Sequence, residues 1–91
     1  MSCWIRKIVD GKAENFALLA ADSWDLREQV EFFEKWLRDI DETLEDADSW
    51  IADIGFSPRS RATGGGPVVS LELMELCLRN KIEIFLSEYN E

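Results

Sequence analysis

The sequence predicts a single small α+β domain with the element order β-β-α-β-α-β, and three observations point to it. Residues Asp25–Ala47 carry an apolar stripe (Leu26, Val30, Phe33, Leu37, Ile40, Leu44 and Ala47) at alternating steps of four and three, one face of an α-helix. Four shorter segments alternate side chains at the period of a strand. A serine followed by an apolar run, Leu71–Arg79, supplies a second helix after a Gly- and Pro-containing loop. Ninety-one residues suffice for one domain, 1–91, with one modest core, because a chain of that size buries about 60–65% of its unfolded surface.

Residues 2–9, SCWIRKIV, read as the first strand. Cys3, Ile5, Lys7 and Val9 share its more apolar face and are placed inward, with Lys7 at an edge; Trp4, Arg6 and Ile8 share the other. Asp10-Gly11 is a hairpin signal, since glycine tolerates positive φ, and residues 14–21, ENFALLAA, return as the second strand. Asp25 is placed to cap the long helix, with Glu28 three residues later in capping-box spacing. That helix is expected to run to Ala47, with Glu31–Lys35 and Glu34–Arg38 as i,i+4 pairs on its outer side. Trp50, Ala52, Ile54 and Phe56 alternate in the third strand. Residues 57–69 form a loop that is long for a compact domain. Ser70 caps the second helix, which has little polar surface and is expected to be well buried, and Asn80 is placed to end it in a left-handed conformation. Ile82, Ile84 and Leu86 alternate with Glu83, Phe85 and Ser87 in the last strand. The unit from third strand to fourth is long enough for a parallel crossover, which gives one sheet of about four strands with both helices on one face.

The net charge is −9. It argues against nucleic acid or an anionic membrane as direct partner, since both would repel the chain, and it permits a basic protein surface. No apolar run is long enough to span a membrane and no signal peptide is visible, so a cytoplasmic protein with reduced thiols is expected, although Cys3 and Cys77 leave one disulfide conceivable. Histidine, the commonest metal ligand and general base, is absent.

The charge is concentrated. Residues 22–53 hold twelve acidic and three basic side chains, the whole net charge, and from Asp39 to Asp53 there are seven acids and no base. Acids at a helix C-terminus oppose its dipole by about 0.3–1 kcal/mol each, so stability alone would prefer Lys or Arg there. Solvation of an acidic face explains the cluster without any function; a docking surface for a basic protein explains it with one. Asp39, Asp41, Glu42, Glu45 and Asp46 are the candidate partner contacts, with Phe32 and Trp24 as candidate apolar anchors. Phe32 is more simply explained as cover for the margin of the core. The same acids could offer oxygens to Ca²⁺ or Mg²⁺, but a continuous helix spreads them around its axis and the EF-hand pattern is missing, so no metal or other cofactor is expected. ATGGGP lacks the Lys-Ser/Thr ending of a phosphate loop, which leaves a flexible loop with Arg59 and Arg61 as a small-anion alternative. Cys77 lies in an apolar run and Cys3 has no histidine to activate it. No catalytic residue is assigned and an enzyme is not expected.

The segment GPVVSLELMELCLRNKIEIFLSEY, with the strand containing SCW and the helix DLREQVEFFEKWL, resembles an uncharacterised family of small bacterial α+β domains, some of them immunity-like proteins of toxin–antitoxin-type conflict systems. The chain departs from such domains in lacking an extra N-terminal strand and helix. The resemblance implies no catalytic residues. The function expected from these readings is a small acidic non-enzymatic protein that inhibits a larger basic partner through its acidic helix. That partner would be a toxin, or a nucleic-acid-binding effector met by an anti-CRISPR-like mimic of nucleic acid. The alternatives are a homodimerising structural module that uses exposed aromatics, and the small-anion site at residues 57–69.

Overall fold

Asp10 and Gly11 both take positive φ, 52° and 75°, the geometry of the two-residue turn whose twist suits an antiparallel hairpin. They join β1 (Cys3–Val9) to β2 (Lys12–Leu19) in a computed structural model that describes residues 3–90. Ser2, which the sequence assigned to the first strand, lies outside the described residues. The tight turn pairs Val9 directly with Lys12, and Ala20 leaves the strand at φ 49°, so β2 sits two residues earlier than its alternation suggested.

The β1–β2 ladder contains one irregularity: Ile5 pairs Ala17 while Arg6 pairs Asn15. Phe16 is the extra residue of a bulge. The bulge turns Phe16 to the same side as Ala17, where its ring meets Trp50 edge-on at 4.8 Å between centroids. β3 (Ser49–Phe56) pairs antiparallel with β1, and β4 (Ile82–Glu88) pairs parallel with β3, giving the strand order β2-β1-β3-β4. β1 is therefore a central strand. Lys7 is not on a sheet edge but near the end of that strand, where its amine reaches Glu45 at 3.0 Å.

α1 (Leu26–Ile40) and α2 (Leu71–Asn80) cover one face of this sheet. Cys3, Ile5, Leu19, Trp50, Ala52, Ile54 and Ile82 all point to that face by their register. They pack with Val30, Phe33 and Leu37 of α1 and Leu73, Leu76 and Cys77 of α2. Among the described residues no helix covers the opposite face of the sheet. There Arg6 pairs with Asp53 at 2.9 Å, and Ser87 Oγ donates to the same carboxylate at 2.6 Å. Both cysteines are free and buried, and among the described residues no helix is long and apolar enough to cross a membrane.

Three expectations are corrected. α1 ends at Ile40, not Ala47: Thr43 N–H and hydroxyl both return to the Ile40 carbonyl, at 2.8 and 3.1 Å, and close the last turn. Leu44 and Ala47 still pack on the core from non-helical chain, so the stripe outlasts the helix that it seemed to require. α2 is not well buried: Leu71 and Leu78 are 83% and 82% exposed, and Met74 is half exposed. The left-handed residue that ends α2 is Lys81, at φ 59°, rather than Asn80. Asn80 stays helical because its side chain is bonded on both sides, to the Leu76 carbonyl and to Asp41.

Candidate functional site

Ending α1 at Ile40 changes what the acidic run is. Among the five candidate acids only Asp39 lies within the helix, Asp41 is its C-terminal cap, and Glu42, Glu45 and Asp46 fall on the connection to β3. The acidic helix of the sequence reading is therefore an acidic connection. Glu45 and Asp46 leave the helix altogether, while Asp39, Asp41 and Glu42 stand at its C-terminal end, where Arg38 in the last turn and Arg79 against Asp41 offset their conflict with the dipole.

Two of these acids serve the fold. Asp41 accepts from Arg79 Nη2 at 2.6 Å and from Asn80 Nδ2 at 2.7 Å, which ties the end of α1 to the end of α2. The Arg79 guanidinium, then the Asn80 amide, hold the Asp41 carboxyl below its ordinary range. Glu45 is bridged by Lys7. A neighbouring acid, Asp48, accepts the Asp10 N–H at 2.8 Å and so braces the β1–β2 turn. Asp39, Glu42 and Asp46 are exposed and, among the described residues, belong to no ion pair.

The two aromatic candidates separate. Phe32 is half exposed on α1, and seven residues on, two helical turns or about 10 Å along the same side, stands Asp39. Trp24 lies before the helix, about 20 Å from its acidic end by helix rise. It is half exposed and meets Tyr89 edge-on at 6.0 Å. Helix geometry thus puts Phe32 on the side of α1 that carries Asp39 and leaves Trp24 at the far end.

That far end is concave. A cleft of about 250 Å³ opens between the start of α1 and the loop after β3; Arg27, Arg59, Asp25, Phe56 and Gly65 are among its lining. Arg59 Nη2 donates to the Gly64 carbonyl at 2.8 Å, and Arg27 Nη2 to the Gly66 carbonyl at 2.9 Å. Arg59 was named from sequence. Arg27 was not, because it is distant in sequence and only folding brings it to the loop. Arg61, named with Arg59, is not part of the lining; its φ is 61°.

Neither thiol is placed for chemistry. Burial first, and the charge of Asp53 second, push Cys3 up to about 12; burial pushes Cys77 up to about 11. Among the described residues no three His, Cys, Asp or Glu side chains come together as a metal-ligating group. The one fully buried polar side chain of α1, Gln29, donates to the carbonyls of Ser23 and Gly55, at 2.9 and 2.5 Å, and its Oε1 has no partner. It locks the entry of α1 to the end of β3 and thereby fixes one wall of the cleft. Compared with family models, curated proteins and solved structures, the chain finds no match.

Proposed function

We propose that this chain is a small acidic binding protein, not an enzyme, that inhibits a larger basic protein by docking its acidic connection onto that protein's cationic site. An immunity protein that blocks a toxin and a phage-encoded anti-defence protein that occupies a nucleic-acid groove are the two settings this chemistry suits. In both, carboxylates take the place of phosphates. The observation that carries the reading is the presentation of Asp39, Glu42 and Asp46, exposed and, among the described residues, outside any ion pair, on a segment braced by Asp41–Arg79, Glu45–Lys7 and Asp48. Such bracing holds side chains in place before association and so reduces the ordering cost of binding. Phe32 supplies an apolar contact on the same side of α1 as Asp39.

The test is capture of a basic partner by the immobilised protein, followed by a salt series. Affinity is expected to fall steeply with ionic strength. The double change Glu42→Lys and Asp46→Lys is expected to weaken it at least tenfold with the melting temperature unmoved. Binding indifferent to both salt and charge reversal would overturn the proposal.

One observation favours a second reading, self-association. Leu71, Met74 and Leu78 stand at steps of three and four on the outer side of α2, exposed, with exposed Val68 and Val69 leading into them. The residues that would make such an interface are aliphatic, not the aromatics anticipated from sequence. Sedimentation equilibrium separates the readings: a dimer that Leu78→Glu dissolves supports self-association, and a monomer at high concentration removes it.

A further inference from the structure

The geometry points to a phosphoryl-binding site in the cleft between the start of α1 and the glycine loop, with Arg27 and Arg59 as its two anion contacts and Phe56 as apolar floor. The site is independent of the proposed inhibitory surface, which lies at the other end of α1.

Four observations carry it. First, the arginines of this chain divide into two sets. Arg6, Arg38 and Arg79 each have a carboxylate partner. Arg27, Arg59 and Arg61 have none among the described residues, and Arg27 and Arg59 both line this cleft. In a chain with 19 acids against 10 bases, cations left without carboxylates are costly to gather. They repel one another and forgo abundant partners.

Second, the two guanidiniums converge. A Cβ built on Gly65 would stand 3.9 Å from Arg59 Nη2 and 4.0 Å from Arg27 Nη2, so the two nitrogens are no farther apart than the sum of those distances. Two charge-assisted hydrogen bonds of about 2.8 Å and the width of one tetrahedral oxyanion span such a gap.

Third, the donors are held but not used up. Each guanidinium has five N–H groups, and each spends one on a loop carbonyl, Gly64 or Gly66. Those bonds fix the side chains and leave the other donors free. Both carbonyls belong to glycines at positive φ, 133° and 110°, a backbone that side-chain-bearing residues rarely adopt.

Fourth, the cleft is two-sided. Leu26, Phe56, Pro58 and Pro67 line it with apolar surface, which suits an organic substituent on the anion. Asp25 is the one acid in the lining. Its carboxylate already accepts the Glu28 N–H at 3.1 Å as the cap of α1, so the helix terminus is occupied and the arginines, not the dipole, do the binding. Two guanidiniums match the charge of −1.5 to −2 that a phosphomonoester carries at pH 7; a carboxylate matches only half of it.

The experiment is a titration followed by ¹⁵N-resolved NMR at fixed ionic strength, with inorganic phosphate, phenyl phosphate, acetate and chloride as separate probes. Phosphate is expected to give saturable shifts at the Gly64–Gly66 amides and at Nε of Arg27 and Arg59. Phenyl phosphate is expected to bind at least threefold tighter through the apolar lining. Arg59→Gln and Arg27→Gln are each expected to weaken binding tenfold or more, Arg59→Lys less, and Arg38→Gln not at all. The spectra also show whether each variant is folded. Acetate or chloride saturating as tightly as phosphate, or phosphate binding retained in the Arg27→Gln/Arg59→Gln double variant, would overturn the assignment. Failure here leaves the charge-reversal test at Glu42 and Asp46 unaffected, and the converse holds.

Discussion

Asp41 and Arg79 close the open ends of α1 and α2 against each other, with Arg79 Nη2 donating to Asp41 Oδ2 at 2.6 Å. Asp41 is the cap of α1 and Arg79 lies in the last turn of α2, so one ion pair links the two helix termini. Because Asp41 titrates below its ordinary range in the folded protein, its contribution is present above the unfolded aspartate pKa and is lost as pH falls through the folded one. The stability of the parent protein is expected to drop more steeply than that of Asp41→Asn as pH falls below about 4. Urea unfolding midpoints across that range measure it, and equal slopes would contradict it.

The two faces of α2 predict opposite outcomes for the same substitution. Leu73 is fully buried and Leu71, two residues before it, is almost fully exposed. Leu73→Ala is expected to cost about 2–5 kcal/mol through lost burial and the cavity left behind, a large share of the roughly 5–14 kcal/mol that stabilises a chain of this length. Leu71→Ala is expected to stay within about 0.5 kcal/mol. Chemical denaturation of the two variants decides it.

Gln29 is a polar group where the stripe allows none. Both of its N–H donors meet carbonyls, so Gln29→Leu removes an unpartnered oxygen but strands the Ser23 and Gly55 acceptors. The net cost is expected to be about 1–3 kcal/mol. Gln29→Glu places an acceptor against two carbonyls. It is expected to cost more, and to recover part of that cost at low pH, where the carboxyl becomes a donor. A Gln29→Glu variant with flat pH dependence would show that the side chain does not bind these carbonyls.

Cys3 and Cys77 are expected to resist alkylation at pH 8 in the folded protein and to react at once in urea. Their folded-state values, about 12 and about 11, keep the thiolate, which is the nucleophile, scarce. The same raised values mean that stability is fully present below the unfolded thiol pKa of about 8.5 and is lost as pH rises toward the folded ones. Mass spectrometry after a timed iodoacetamide pulse measures the protection; rapid labelling of either thiol without denaturant would refute it.

The element order and the inward faces of β1 and β3 were legible because alternation at period two is a local property, and each strand carries it. The caps Asp25 and Ser70 were legible for the same reason: both accept the N–H three residues on. The end of α1 was not. Leu44 and Ala47 continue the spacing of the stripe, and periodicity cannot distinguish a helical turn from an extended segment that reaches the same core. The state of the acids was hidden for a different reason. Asp41 and Glu45 read as free charge until folding brings Arg79 and Lys7 to them across the chain, and Arg27 joins Arg59 by the same kind of long-range closure. The bulge at Phe16 has no signal of its own, since it answers to the ring of Trp50 on another strand.

The central pairing of the sheet is also the one that spans the most chain. β1 and β2 meet through a two-residue turn, and β3 reaches β4 across the loop and α2, Trp50 beside Ile82. β1 reaches β3 only across β2, α1 and the acidic connection, Ile8 beside Ser49. Loop closure costs more entropy as the loop lengthens, and contacts of large sequence separation slow the search for the native state. The seam between β1 and β3 is therefore expected to close last. Until it does, Ile5 on one side and Ala52 and Ile54 on the other face the surroundings, and these segments are then the most open to misassociation.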